Sequence, residues 1–237
     1  MGWAAAQDGY NQCSSWSKRK MEAKVRALPL FPLNVVLFPG QTLPLHIFEP
    51  RYRVMIRRCI ENDEPFGVVL ARDEEPDEPH DIGTSARVTD AERLSDGRMN
   101  IVTLGEERFR LHDFRASEHG YLIGDVTPFP FIEDAAPADP LVHTVSQRLA
   151  RYLKRLGEAS GLHFRFDHFP TQPVDVAVFT AIVLRLPLEQ KQFLLSQAHV
   201  TDLLAVESEI LREELKMLSI IASTIRPPED RHIFSRN

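Results

Sequence analysis

The residues best suited to chemistry fall into four groups. His163 and His168 flank Phe164-Arg-Phe-Asp167, and two imidazoles beside a carboxylate are the side chains a metal ion would recruit. Their spacing of five puts them on no common helix face, and no third ligand stands nearby, so a loop with two aromatic anchors is preferred. Asp73-Glu-Glu-Pro-Asp-Glu-Pro-His-Asp81 gathers six acids but lacks the glycine and ligand spacing of a calcium loop, and reads as a solvated connection. Arg51, Arg53, Arg57 and Arg58 could hold a phosphate or an acidic partner, although such a run is more often a solvated helix face. His46, Glu49, Arg51 and Tyr52 form the fourth group. They could touch a bound peptide, but the preferred reading is structural: Glu49 at a helix start, Arg51 paired with it, Tyr52 packed inward.

Signatures of catalysis are absent. The sequence contains no G-x-x-x-x-G-K-[ST] loop to cradle a nucleotide, no G-x-S-x-G elbow and no H-E-x-x-H helix. Ser160-Gly161 reads as a helix-ending loop, not a nucleophile with a base beside it. Cys13 and Cys59 are too few for a disulfide framework or a four-cysteine zinc site; Cys59 falls in an apolar stripe and reads as a small buried hydrophobe. The expectation is a chain with no metal, no cofactor and no enzymatic activity.

The elements that would position these residues divide the chain in two. With 237 residues, 43% hydrophobic and 26% charged, the chain can build one large or two small cores. Residues 1–25 read as a polar tail, 26–132 as a β-rich subdomain, 133–226 as a helical bundle and 227–237 as a second tail. Leu43, Leu45 and Ile47 alternate with Thr42, Pro44 and His46, as a half-buried strand demands. Phe66-Gly-Val-Val-Leu-Ala71 suits a buried strand, and Asp96-Gly97 marks a tight hairpin. Pro32, Pro39, Pro44 and Pro50 push the strands that hold them toward edges or bends, which favours a curved, barrel-like antiparallel sheet over a flat central one. A helix beginning at Pro50 carries Tyr52, Met55, Ile56, Cys59 and Ile60 on one stripe. After Pro140 the period becomes helical. One helix runs from Asp139 to a stop at Gly157, others from Val174 to about Arg185 and from Pro187 through Leu195, and a last one from about Thr201. Strands followed by helices define an α+β chain.

The longest distinctive stretch is Leu28-Pro-Leu-Phe-Pro-Leu-Asn-Val-Val-Leu-Phe-Pro-Gly-Gln-Thr-Leu-Pro-Leu-His-Ile-Phe-Glu-Pro-Arg-Tyr52. It resembles the opening of the Lon N-terminal, substrate-binding domain family. Phe66-Gly-Val-Val, Ile82-Gly-Thr84, Asp96-Gly-Arg98, Leu104-Gly-Glu-Glu-Arg-Phe109 and Leu186-Pro-Leu-Glu-Gln-Lys-Gln-Phe-Leu-Leu195 follow in the family's order. At the last helix Thr201-Asp-Leu-Leu204 departs from the family's E-R-L-like start. The resemblance covers about residues 27–220. It implies a PUA-like pseudo-barrel followed by a helical bundle, standing alone without the ATPase and peptidase parts. It also implies recognition of unfolded or specific polypeptide clients, in company with a protease or a chaperone.

Such recognition needs an apolar surface left open in the folded state. Candidate contacts are Phe31, Leu33, Phe38, His46, Phe48, Glu49, Arg51 and Tyr52, with the crevice between sheet and helices as a second place. RNA binding through the PUA-like sheet is the alternative. It is disfavoured by a formal net charge of −6 and by basic residues that gather only on one helix and in the tail. A hydrolase in the crevice ranks last. No segment reaches the ~18 apolar residues of a membrane span, and the N-terminus lacks the basic-then-apolar order of a secretory signal, so the expected setting is cytoplasmic, away from membranes.

Overall fold

The structure is a computed structural model that describes residues 24–72, 78–133, 139–160 and 169–225. The pair His163 and His168 and most of the acidic run after Arg72 lie outside the described residues. Two compact units emerge, the first made of the residues up to Ile132 together with Ala181–Ala198, the second of Glu133–Thr180 and the residues from His199 onward. Ala181–Ala198 therefore groups with the strands, although its period is that of the helices on either side of it.

Among the described residues the first unit contains six strands and two helices: β1 (Arg26–Leu33), β2 (Thr42–Ile47), α1 (Pro50–Asn62), β3 (Phe66–Leu70), β4 (Ile82–Arg93), β5 (Met99–Ala116), β6 (Leu122–Pro128) and, from later in the chain, α4 (Leu188–Leu195). The strands run in the order β2-β5-β4-β3-β1-β6, and β6 returns to pair with β5. Five strands thus close on themselves and β2 lies outside the ring on β5: the sheet is curved and barrel-like as the prolines predicted, but not wholly antiparallel, since β1 and β3 run parallel. One strand can serve this many neighbours because β5 is 18 residues long. Its first half, Met99–Leu104, takes β2, and its second half, Phe109–Ala116, takes β6. Register shifts on both sides of β5 let the strand bend between these partners.

Pro44 sits on the outer strand, as expected of a residue with no amide hydrogen. Pro29 and Pro32 do not: β1 is flanked on both sides. It tolerates them because it takes its neighbours in succession. Residues Arg26–Leu30 pair with β6 and Leu30–Leu33 with β3, so only Leu30 has partners on both sides. The β1–β3 pair is parallel and needs a crossover, and that crossover carries β2 and α1.

Helix α1 buries Tyr52, Met55, Ile56 and Cys59 against Phe31, Leu37, Ile47, Phe66, Val68, Met99, Ile101 and Tyr121, which form the main core. Leu28, Leu30, Val69, Phe109, Leu111, Leu122 and Val126 form a second. The second unit consists chiefly of α2 (Asp139–Ser160) packed with α5 (Val200–Ile225), and holds the first part of α3 (Pro173–Val183). Val145, Leu149, Tyr152 and Leu153 are buried on α2, and Leu203, Leu204 and Leu211 on α5. Arg148 donates to both the carbonyl and the hydroxyl of Ser208 at 2.6 Å each. Gly157 does not end α2, which continues to Ser160; a mid-helix glycine costs only about 1 kcal/mol against alanine. No helix among the described residues is long and apolar enough to cross a membrane.

Candidate functional site

The inward stripe of α1 dictates its outward one. With Tyr52, Met55, Ile56 and Cys59 committed to the core, Val54, Arg57, Arg58 and Glu61 must face solvent, and all four are exposed. Opposite them stands the reversal between β5 and β6. Ser117 N–H donates to the Tyr121 carbonyl at 2.7 Å and Gly120 N–H to the Ser117 carbonyl at 3.0 Å. Gly120 takes φ 80°, the left-handed residue that ends a three-residue hairpin loop. The Asp96-Gly97 hairpin, expected from the sequence, is built the same way, with Gly97 at φ 81° and Leu94 bonded to Arg98.

Helix and hairpin enclose a groove of about 510 Å³. Val54, Ala116 and Ile123 supply its apolar surface, with Tyr121 buried beneath; Arg57, Arg58, Glu61, Arg115, Glu118 and His119 stand around it. Arg51 fixes one end. Its Nε donates to Glu49 Oε2 at 3.0 Å, its Nη1 donates to the Gly120 carbonyl at 3.4 Å, and its guanidinium lies 4.6 Å from the Tyr52 ring centroid. The rim cations differ in how far they are satisfied. Arg115 pairs with Asp125 at 3.1 Å and Arg58 approaches Glu64 only to 3.8 Å. His119 lies 3.5 Å from Glu118. Arg57 makes no ion pair with any described residue.

The residues singled out from the sequence separate sharply. Phe31 is 7% exposed, Phe38 0% and Tyr52 4%. Phe31 stacks on Tyr52 with ring centroids 4.1 Å apart, so these aromatics build the core and present no surface. Leu33 is half-buried against the same core. Glu49 and Arg51 pair as expected, but Glu49 makes no side-chain capping bond to α1. Phe48 is the opposite case, 60% exposed, with the exposed His46 ring 6.2 Å away. His46 Nδ1 meets Asn100 Oδ1 at 2.7 Å and its Nε2 faces Arg98 at 3.5 Å. An arginine can only donate, so Nε2 accepts and Nδ1 carries the proton. Tyr121–Val126 reads as a strand, but the hairpin residues Arg115–Gly120 are not among the candidates, although Ser117-Glu-His-Gly120 between two apolar runs is a turn signal.

Strand β2 offers an edge, since among the described residues it pairs only with β5. Gln41 accepts from Gly105 N–H, so the odd-numbered residues turn their amides to β5 while Thr42, Pro44 and His46 turn theirs outward. Pro44 therefore removes the central donor from the open side, a device that blocks strand addition.

A second hollow, about 230 Å³, is lined by Cys59, Asp63, Glu64, Arg87 and Asp90 among others. Arg87 bonds Glu106 at 2.7 Å and Asp63 at 2.8 Å, and these contacts raise its pKa further. Burial pushes the Cys59 thiol up to about 11, so at neutral pH it carries no thiolate. Among the described residues no cluster of three His, Cys, Asp or Glu side chains could hold a metal ion.

Comparison with known proteins follows the same lines. The family described as the ATP-dependent protease La (LON) substrate-binding domain matches residues 27–213. Lon protease 4 of Sorangium cellulosum is 30% identical over 194 residues, 78% of this chain and 23% of that protein. Lon protease 1 of Thermus thermophilus is 25% identical over 221 residues, 86% of this chain and 27% of that protein. The chain thus spans about a quarter of the length of the curated relatives it matches. A crystal structure of a Lon N-terminal domain protein from Xanthomonas campestris superposes with a TM-score of 0.59 at 28% identity, covering 76% of this chain and 95% of that one.

Proposed function

The chain belongs to the family of Lon substrate-binding domains, and from that premise we propose that it recognises polypeptide clients, without making or breaking bonds, through the groove between α1 and the β5–β6 hairpin. The observation that carries this reading is the groove itself: a concave surface of about 510 Å³ with aliphatic side chains exposed beside charged ones, set on two elements that a buried core holds rigid. Val54, 37% exposed on a helix whose other apolar residues mostly point inward, turns an aliphatic side chain to the groove. The relatives are proteases, and a domain of this kind serves proteolysis by gripping a segment of the substrate while chemistry happens elsewhere. The same grip would serve a holder or a competitor for clients.

A groove this size buries far less than a standard protein–protein interface, so affinities on the order of micromolar are expected. The test is fluorescence polarisation with labelled apolar peptides and a chemically unfolded reporter protein. Binding should appear for both and fall at least about tenfold in Val54→Asp, which places a charge where an apolar group must dock. Failure to bind any member of a broad panel, or full binding by Val54→Asp, overturns the proposal.

A further inference from the structure

We infer that the groove selects client segments in which a carboxylate lies beside an apolar side chain; this rests on the groove being the client surface. The chain as a whole carries a formal charge of −6 and repels acidic polypeptides. Among the groove's lining residues that sign is reversed, Arg57, Arg58 and Arg115 standing against Glu61 and Glu118, while Glu64 and Asp125 lie outside the lining, each beside one arginine. More telling than the count is how little of this positive charge is used. Arg57 has no ion pair among the described residues. Arg58 has a single loose one, to Glu64 at 3.8 Å. Arg115 offers Nη1 to Asp125 and keeps its remaining donors. A guanidinium presents five N–H groups in a fork that matches a carboxylate. These forks border an aliphatic floor of Val54 and Ile123, so one segment can satisfy both only if it carries an acid and an apolar residue close together.

Nucleic acid is the other polyanion such a rim could attract. Single-stranded RNA recognition relies on exposed aromatic rings for base stacking. The groove's one Phe, Tyr or Trp is Tyr121, which is 2% exposed, so the floor offers aliphatic contact in place of stacking.

The experiment uses the full chain and three labelled peptides that share one Leu/Val core and differ only in flanking residues: Asp, Ser or Lys. Polarisation at low salt should rank Asp tightest by about five- to tenfold over Ser, with Lys weakest, and added salt should compress the differences. Arg57→Glu, at an exposed position, should abolish the Asp advantage while leaving the circular dichroism spectrum unchanged. Equal binding of the three peptides, or an Asp advantage that survives Arg57→Glu and Arg58→Glu together, overturns the acidic preference and leaves client recognition standing. Binding of no peptide removes recognition as well. Salt-sensitive binding of single-stranded RNA, lost in Arg57→Glu and unaccompanied by peptide binding, would assign the groove to RNA and overturn both.

Discussion

Arg108 on β5 donates from Nη1 to the carbonyl of Leu195, 87 residues further along the chain, at 2.5 Å, and to that of Gln197 at 2.7 Å. These carbonyls lie at the end of α4, where no following turn supplies donors and where the helix dipole favours a cation. Arg108 is 3% exposed, and its guanidinium sits 3.3 Å from the Phe131 ring centroid and 4.7 Å from that of Phe129. Burial pushes its pKa down to about 9, still above neutral, so the cation persists. Arg108→Met keeps much of the apolar volume but strands the two carbonyls. It should cost about 2–4 kcal/mol, read as a lower denaturant midpoint, with faster amide exchange in Leu188–Gln197. An unchanged midpoint would mean that α4 is held without the clamp.

Gln192, near the middle of the same helix, fastens it at a second point, its Nε2 donating to the Ile82 carbonyl at 2.9 Å across 110 residues. Because Arg108 and Gln192 fasten one short element, losing either should release part of what the other secures. Gln192→Ala alone should cost about 1–2 kcal/mol. The double variant should fall short of the sum by at least about 0.5 kcal/mol. Strict additivity in a denaturant double-mutant cycle would show that the two bonds act independently.

These two contacts also explain what could and could not be read beforehand. The Leu104-Gly-Glu-Glu-Arg-Phe109 and Leu186–Leu195 segments stood out as matched blocks, yet nothing in either hinted that they meet: a contact spanning 87 residues leaves no periodic trace. Local structure was legible where the period was clean, as in α1, whose buried stripe Tyr52, Met55, Ile56 and Cys59 follows from spacing alone. The candidate site was less so. Phe31 and Phe48 are the same residue type in the same proline-rich stretch, but one is 7% exposed and the other 60%. Which one reaches the surface depends on β1 being enclosed by two neighbours while Phe48 follows the outermost strand. Strand order is set by long-range pairing, and it also placed the Arg115–Ile123 hairpin beside α1.

Two glycines should fail for different reasons when given a methyl group. A Cβ on Gly83 would lie 2.6 Å from Phe109 Cζ and 2.6 Å from the Val68 carbonyl oxygen, inside the barrel. Gly83→Ala should therefore destabilise by overpacking, about 1–3 kcal/mol. At Gly120 a Cβ would meet nothing within 4 Å, but φ is 80°. Gly120→Ala should cost only about 1 kcal/mol. Thermal unfolding of the pair distinguishes them; a larger loss at Gly120 would contradict this account.

Cys59 predicts a pH dependence. Its thiol is raised to about 11, first by burial and then by Glu64. A thiol in the unfolded chain titrates near its ordinary value, so between that value and about 11 the unfolded state holds fewer protons than the native one. Stability must then fall as pH rises through this window, and the loss should be absent below it. Cys59→Ala should show a flatter stability–pH curve than the parent over the same range. Below pH 8 the native thiol should resist thiol reagents until the protein is unfolded. Parallel curves, or prompt labelling of Cys59 in the native protein, would refute the assignment.

Arg51 tests whether the groove's shape matters apart from its charge. It bonds Glu49 at 3.0 Å and the Gly120 carbonyl at 3.4 Å while covering Tyr52, and so ties the hairpin tip to the start of α1. Being partly exposed, it should contribute no more than about 1 kcal/mol to stability. Yet its loss frees one wall of the groove. Arg51→Ala should leave the melting temperature within a few degrees of the parent's and weaken peptide binding severalfold. Arg51→Lys should not restore affinity, because a single ammonium cannot serve a carboxylate and a carbonyl in the geometry of the planar fork. Restoration by lysine would show that only the positive charge counts. An unchanged affinity in Arg51→Ala would show that the hairpin holds its place without this tether.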